Sequence, residues 1–97
     1  MIGCDIVKTS RFRNNLNRLA YNILSDVEMI EFHKTANKIE YLAGRWAAKE
    51  AIFKATGKKR MIVLNKSSGE PYVLGNPNIK VSISHEKEYA ISFALLL

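Results

Sequence analysis

Two carboxylates of this chain stand where a carboxylate is costly. Glu50 lies in a stretch, Tyr41 to Ala55, whose apolar and small residues (Tyr41, Leu42, Ala43, Trp46, Ala47, Ala48, Ala51, Ile52, Phe53 and Ala55) would point in nearly every direction around a helix. Such a helix is mostly buried. Arg45, Lys49, Glu50 and Lys54 interrupt it, and a buried charge needs a partner or a ligand. Asp5 sits in the short apolar run at the start of the chain, while Asp26, Glu28, Glu31, Glu86 and Glu88 belong to polar or capping stretches. A Mg²⁺ ion takes one or two protein carboxylates and fills its other positions with water and substrate phosphate oxygens. Asp5 and Glu50 would suffice for such a site.

Each of these residues also has a plainer reading. Glu50 and Lys54, four apart, can form a surface ion pair along the helix, of about 0.3 to 0.5 kcal/mol. Asp5 can be a strand-end residue, Trp46 a core residue, and His85 a polar residue at the start of a turn. Beside lysines and a metal, His85 could instead donate to a phosphate. The single Cys4 has no thiol partner and reads as a small buried hydrophobe.

The elements that must position these groups follow from local patterns. Met1 to Val7 is a first strand. From Ser10 to about Leu24, Leu16, Leu19, Ala20 and Ile23 form one helical stripe, with Arg11 and Arg18 on another face. Ser25 and Glu28 have capping-box spacing and open a second helix through Ile30 and Phe32, with a break near residues 33 to 35. A third helix spans roughly Asn37 to Thr56 and ends at Gly57, a left-handed cap. Strands follow over Met61 to Asn65, Pro71 to Leu74, Ile79 to Ser84 and Tyr89 to Leu97, the last two forming a hairpin. This predicts a single α+β domain over residues 1–97: an N-terminal strand, three helices, then an antiparallel sheet.

Composition sets outer limits. The 97 residues carry 47% hydrophobic and 25% charged side chains, as an ordinary globular domain does, and a domain of this size buries only about 60 to 65% of its unfolded surface. Self-association would help it. The start lacks a secretory layout and the apolar end is too short to span a bilayer, so we expect a cytoplasmic protein with no membrane partner. A net charge of +6, from 15 basic and 9 acidic residues, points to phosphorylated or acidic partners.

In order along the chain, three blocks resemble the holo-acyl-carrier-protein synthase family of 4'-phosphopantetheinyl transferases. They are Ile2-Gly3-Cys4-Asp5-Ile6-Val7 with Arg11-Phe12, then Leu42 to Ala51 with Lys54-Ala55 and Gly57, then Val81-Ser82-Ile83-Ser84-His85 with Tyr89-Ala90. Gly69-Glu70-Pro71 looks like the family's Gly-x-Pro turn. Any one block is weak; the Trp-x-x-Lys-Glu-Ala block, with Gly-x-Asp before it and Ser-x-Ser-His after it, is specific.

The resemblance implies attack by a carrier-protein serine on the β-phosphate of coenzyme A, with release of 3',5'-ADP. It implies Mg²⁺ on Asp5 and Glu50, catalytic roles for Glu50 and Lys54, and coenzyme A contacts from Arg45, Lys49, Lys54, Gly69, Pro71, Ser84 and His85. Arg45 is the foremost phosphate contact expected, because a guanidinium can grip phosphate through two parallel hydrogen bonds. Arg11, extended by Arg18 and more loosely Arg13, would meet an acidic acyl carrier protein. The family also implies a homotrimer with active sites shared between subunits. The stretch from Lys58 to Gly69 looks shorter than the family's usual one.

Two other readings compete. A small nucleic-acid-binding module would use the charge and the Lys58-Lys59-Arg60 cluster, but the strands lack the aromatics interleaved with basic residues that a stacking platform needs. No nucleic-acid partner is therefore expected. A shortened family member could bind coenzyme A or a carrier protein without catalysing transfer.

Overall fold

The computed structural model describes all of residues 1–97. Strand β1 (Ile2–Lys8) leads into a 3-10 turn (Thr9–Phe12) and the helices α1 (Leu16–Ile23), α2 (Asp26–Lys34) and α3 (Lys38–Thr56). Strands β2 (Val63–Asn65), β3 (Pro71–Val73), β4 (Ile79–Glu86) and β5 (Tyr89–Leu96) complete the chain. The expected α+β architecture is present. No helix is long and apolar enough to cross a membrane.

Local chemistry explains most boundaries. Ser25 Oγ accepts from the Glu28 N–H while Glu28 Oε1 accepts from the Ser25 N–H, closing the capping box at the start of α2. Asn37 caps α3 through the Glu40 N–H, and Gly57 ends it at φ 75, a left-handed conformation that glycine adopts without steric cost. The first helix departs from expectation. Asn15 takes φ 60, so the stretch expected as one helix from Ser10 divides into a 3-10 turn and a shorter α1. Arg11 therefore lies on the turn and Arg18 on α1.

The strands form two sheets rather than one. In the larger, the order is β1-β5-β4, all antiparallel, with Asp5 opposite Ser92 and His85 opposite Ala90. In the smaller, β2 pairs with β3 from Val63↔Val73 to Asn65↔Pro71, so β2 is shorter than the expected run from Met61.

Helix α3 lies across the inner face of the larger sheet, chiefly on β1 and β5. The contact is built from small residues: Ala47, Ala48, Ala51 and Ala55 of the helix and Ala90 and Ala94 of β5 are all buried. Gly3 shows how close the layers are, since a Cβ there would stand 2.1 Å from the Ala51 carbonyl oxygen and 2.8 Å from the Ala55 nitrogen. Two core clusters share α3, one with Val7, Phe12, Leu24 and Phe32, the other with Val63, Val73 and Ile79.

The outer face of the larger sheet is different. Ile2, Cys4 and Ile6 alternate away from α3 beside Phe93 and Leu95, with Ile2 69% and Phe93 48% exposed. Cys4, expected to be buried, is therefore exposed. Its strand has a second layer on one face only, and Cys4 points to the other.

Candidate active site

The close packing of β1 on α3 brings Asp5 to the C-terminal half of the helix. Lys54 Nζ donates to Asp5 Oδ1 at 3.1 Å and to the Cys4 carbonyl oxygen at 3.0 Å. The Asp5 side chain is 17% exposed and that of Lys54 53%, so the pair sits at the rim of the layer contact. The plainer Glu50–Lys54 pairing does not form; Lys54 turns to Asp5 instead. Glu50 precedes Lys54 by one turn on the same helical face, is partly exposed, and makes no ion pair within the chain. With Lys49, Phe53, Lys59 and Arg60 it lines a cleft of about 250 Å³.

This donor set fits Mg²⁺. Asp5 already pairs with a cationic side chain, Glu50 makes no ion pair, and no group of three or more His, Cys, Asp or Glu side chains forms a complete metal cage in the chain. An ion bound by two carboxylates and completed by substrate phosphates suits that arrangement.

Further toward the N-terminus of α3 the charges are differently engaged. Arg45 Nη2 donates to Asn65 Oδ1 at 2.7 Å and to Glu31 Oε1 at 3.3 Å, and the guanidinium lies over the Tyr41 ring at 4.4 Å. Its Nε is buried without a partner. Lys49 Nζ donates to Glu28 Oε1 at 2.7 Å and to the Met61 carbonyl oxygen at 2.9 Å. Glu28 is 0% exposed. Arg45, the foremost expected phosphate contact, is thus held inside the chain, and Lys49 is committed to a buried carboxylate. The physical reason is their helical face, which turns to α2 rather than to solvent. Burial, and next a hydrogen bond to Glu31, hold the Tyr41 hydroxyl well above the usual tyrosine range, with Arg45 opposing them.

Spacing alone contained a signal for this cluster. Glu28 and Glu31 are three apart and Arg45 and Lys49 four apart, each pair on one helical face. Reading Glu28 and Glu31 only as members of polar or capping stretches missed it.

The remaining expected site residues lie elsewhere on the chain. His85 packs over Gly44, where a Cβ would stand 2.7 Å from its Nε2, and its Nδ1 is 3.8 Å from Glu40 Oε1. Gly44 is six residues before Glu50, about 9 Å along the helix axis. Ser84 and His85 line a separate cleft of about 330 Å³ with Ile6, Glu86 and Tyr89. Gly69, at φ 93, shapes the β2–β3 turn, and Pro71 lines a third cleft, about 350 Å³, with Lys66, Glu70 and Tyr72. Arg11 lies 5.9 Å from the Trp46 ring centroid and 6.0 Å from that of Phe12, beside a cleft that also includes Leu19 and Asn22. One chain thus joins Asp5 to Lys54, with Glu50 one turn earlier on the same helix, whereas His85 and Pro71 line other clefts and Gly69 lies in the β2–β3 turn.

The chain belongs to the 4'-phosphopantetheinyl transferase superfamily, whose family model matches residues 1–94. Among its relatives is the holo-[acyl-carrier-protein] synthase of Mycoplasmopsis pulmonis, 38% identical over 97 residues that cover 96% of this chain and 86% of the relative. The holo-[acyl-carrier-protein] synthase of Petrotoga mobilis is also 38% identical, over 116 aligned residues covering 99% of this chain and 94% of that protein. That alignment is longer than this chain, so the relative has positions this chain lacks. A crystal structure of the Bacillus anthracis holo-(acyl-carrier-protein) synthase in complex with CoA (3',5'-ADP) superposes with a TM-score of 0.87 at 31% identity, covering 98% of this chain and 93% of the other.

Proposed function

We propose that this chain transfers the 4'-phosphopantetheine arm of coenzyme A to a serine of an apo-acyl carrier protein, as a holo-[acyl-carrier-protein] synthase that uses Mg²⁺ on Asp5 and Glu50. The observation that carries this reading is the Asp5–Lys54 pair at 3.1 Å across the β1–α3 contact, with the unpaired Glu50 one turn away. Family membership and relatives carrying that name support it.

In the reaction, the serine oxygen attacks the β-phosphorus, forming a phosphodiester as the bond to 3',5'-ADP breaks. Mg²⁺ held by the two carboxylates would offset the negative charge of the diphosphate during that exchange. Glu50 is the carboxylate free to take the serine proton. Lys54, exposed and on a flexible stem, supplies a cation to the departing phosphate; while it rests on Asp5 it orients that carboxylate. Arg11 and Arg18 form the basic approach for the acidic carrier protein, and the aromatic faces of Trp46 and Phe12 steady the Arg11 guanidinium.

Coenzyme A is taken in a site completed by a second copy of the chain in a homotrimer. Two features support this. The clefts that hold Pro71 and His85 are separate from that of Glu50 within one chain, and the outer sheet face exposes a row of apolar side chains next to the His85 cleft. Apolar rows of this kind mark association surfaces. Lys54, Gly69, Pro71, Ser84 and His85 remain the candidate coenzyme A contacts, whereas Arg45 and Lys49 act on the protein itself.

The test is an intact-mass spectrum of an apo-acyl carrier protein after incubation with this protein, coenzyme A and Mg²⁺, beside a sample treated with EDTA. Addition of one phosphopantetheine arm only where metal is present is the expected result. Coenzyme A binding without transfer to any of several carrier proteins would mark a non-catalytic binder and refute the proposal.

A further inference from the structure

The polar cluster between α2, α3 and β2 takes no part in the transfer as described, yet its geometry is repeated. Glu28 and Glu31 stand one turn apart on α2, and each carboxylate shares the same two attachments beside one of its own, from the Ser25 N–H for Glu28 and from the Tyr41 hydroxyl for Glu31. Oε1 accepts from a cation of α3: Lys49 at 2.7 Å for Glu28, Arg45 at 3.3 Å for Glu31. Oε2 accepts from a backbone N–H of β2: Val63 at 2.8 Å for Glu28, Asn65 at 2.8 Å for Glu31.

Residues 63 and 65 alternate along β2, so both N–H groups point to the edge opposite β3. That edge would otherwise be an open row of backbone donors; here two side chains occupy it. Arg45 also donates to Asn65 Oδ1 and Lys49 to the Met61 carbonyl oxygen. The four bonds that reach β2 and its lead-in all fall within residues 61–65, directly before the turn that carries Lys66, Gly69 and Glu70. The hairpin behind that turn has only three residues in each strand, too few to hold its own position.

We infer that Glu31, together with Glu28, is a positioning residue for coenzyme A affinity: the two carboxylates fix β2 against α3 and so place the Lys66–Pro71 wall of the cleft. The inference rests on the proposal that this wall contacts coenzyme A. Glu31 is the more informative of the two, because its partly exposed carboxylate can be removed with water reaching the Asn65 N–H.

The experiment compares Glu31→Ala with wild type in steady-state transfer, calorimetric titration with coenzyme A, and amide hydrogen exchange. The variant should raise KM for coenzyme A by about tenfold or more, with kcat at saturating coenzyme A within about twofold and KM for the carrier protein unchanged. Exchange at Asn65 and across the turn should quicken while amides of β1 keep their protection, and Glu31→Gln, which keeps an oxygen for the Asn65 N–H, should recover most of the affinity. A general structural role would instead lower the folded fraction and scale kcat with it. If Glu31→Ala does not fold, Glu31→Asp, with a shorter reach and the charge kept, is read in the same way. An unchanged KM in a folded variant of a wild type that binds coenzyme A overturns the inference alone. A wild type that binds no coenzyme A overturns the function beneath it.

Discussion

Helix α3 carries two sets of charges that meet opposite fates within three turns. Arg45 and Lys49 face α2 and β2, where Glu31, Glu28, Asn65 and the Met61 carbonyl engage them. Lys54 reaches β1, where one ion pair forms, and Glu50, beside a cleft with Phe53, Lys59 and Arg60, has no ion-pair partner. Matched buried charge is a device for placing backbone, since removing either partner leaves a charge in low dielectric. Incompletely matched charge at a rim is available to a ligand. Residue type alone does not separate the two sets; the partner each finds does.

The comparison can be broken most severely at Glu28. Glu28→Ala would strand the Lys49 ammonium and the Val63 N–H, open the capping box at Ser25, and should cost about 3 to 5 kcal/mol in urea unfolding, with Lys49→Met in the same chain recovering part of that loss. A loss below 1 kcal/mol, about what an exposed pair contributes, would contradict a structural role for the cluster.

At the other end of the helix, stability should hardly move while activity does. Glu50→Ala and Asp5→Ala should each lower Mg²⁺-dependent transfer by at least about a hundredfold, a loss comparable to removing a main electrostatic stabiliser, with unfolding midpoints near wild type. Full activity in either variant would remove that residue from the metal assignment.

Gly3→Ala joins the two effects. The added methyl group meets the α3 backbone at Ala51 and Ala55, so the helix must shift from β1, at about 1 to 3 kcal/mol. Because Asp5 and Lys54 meet across that same contact, transfer should fall further than stability explains, as activity assays corrected for folded fraction would reveal.

The smallest effect concerns pH. Tyr41 has its ionisation raised in the folded chain above the ordinary value of 10.0, so above that pH the unfolded state releases its proton first. Stability contributed by the neutral hydroxyl is present below about pH 10 and lost as pH rises beyond it. Tyr41→Phe should flatten that alkaline slope in unfolding measured from pH 9 to 11.

Features set by short-range chemistry were legible from sequence. The Ser25–Glu28 box, the Gly57 cap and the strand from Ile79 to Ser84 each depend on a few neighbouring residues. Asp5 stood out because a carboxylate in an apolar strand is costly, and Glu50 because the helix around it is apolar on nearly every side. What stayed hidden depends on how elements meet. Glu28 and Lys49 are 21 residues apart, and only the packing of α2 beside α3 makes them partners. Asn15 breaks a helix whose apolar spacing continues past it. The separation of β2 and β3 from the larger sheet, and the exposure of Cys4, follow from which layers cover which faces, which periodicity does not encode.

Strand β1 carries two messages on alternate residues. Gly3, Asp5 and Val7 face α3, while Ile2, Cys4 and Ile6 face outward beside β5. A slip of one residue in its pairing would exchange the two sets at once, placing an isoleucine against the helix where the aspartate belongs and a carboxylate on the greasy outer face. Substitutions along β1 can be judged one position at a time, but a single inserted or deleted residue before Asp5 would rewrite both faces together.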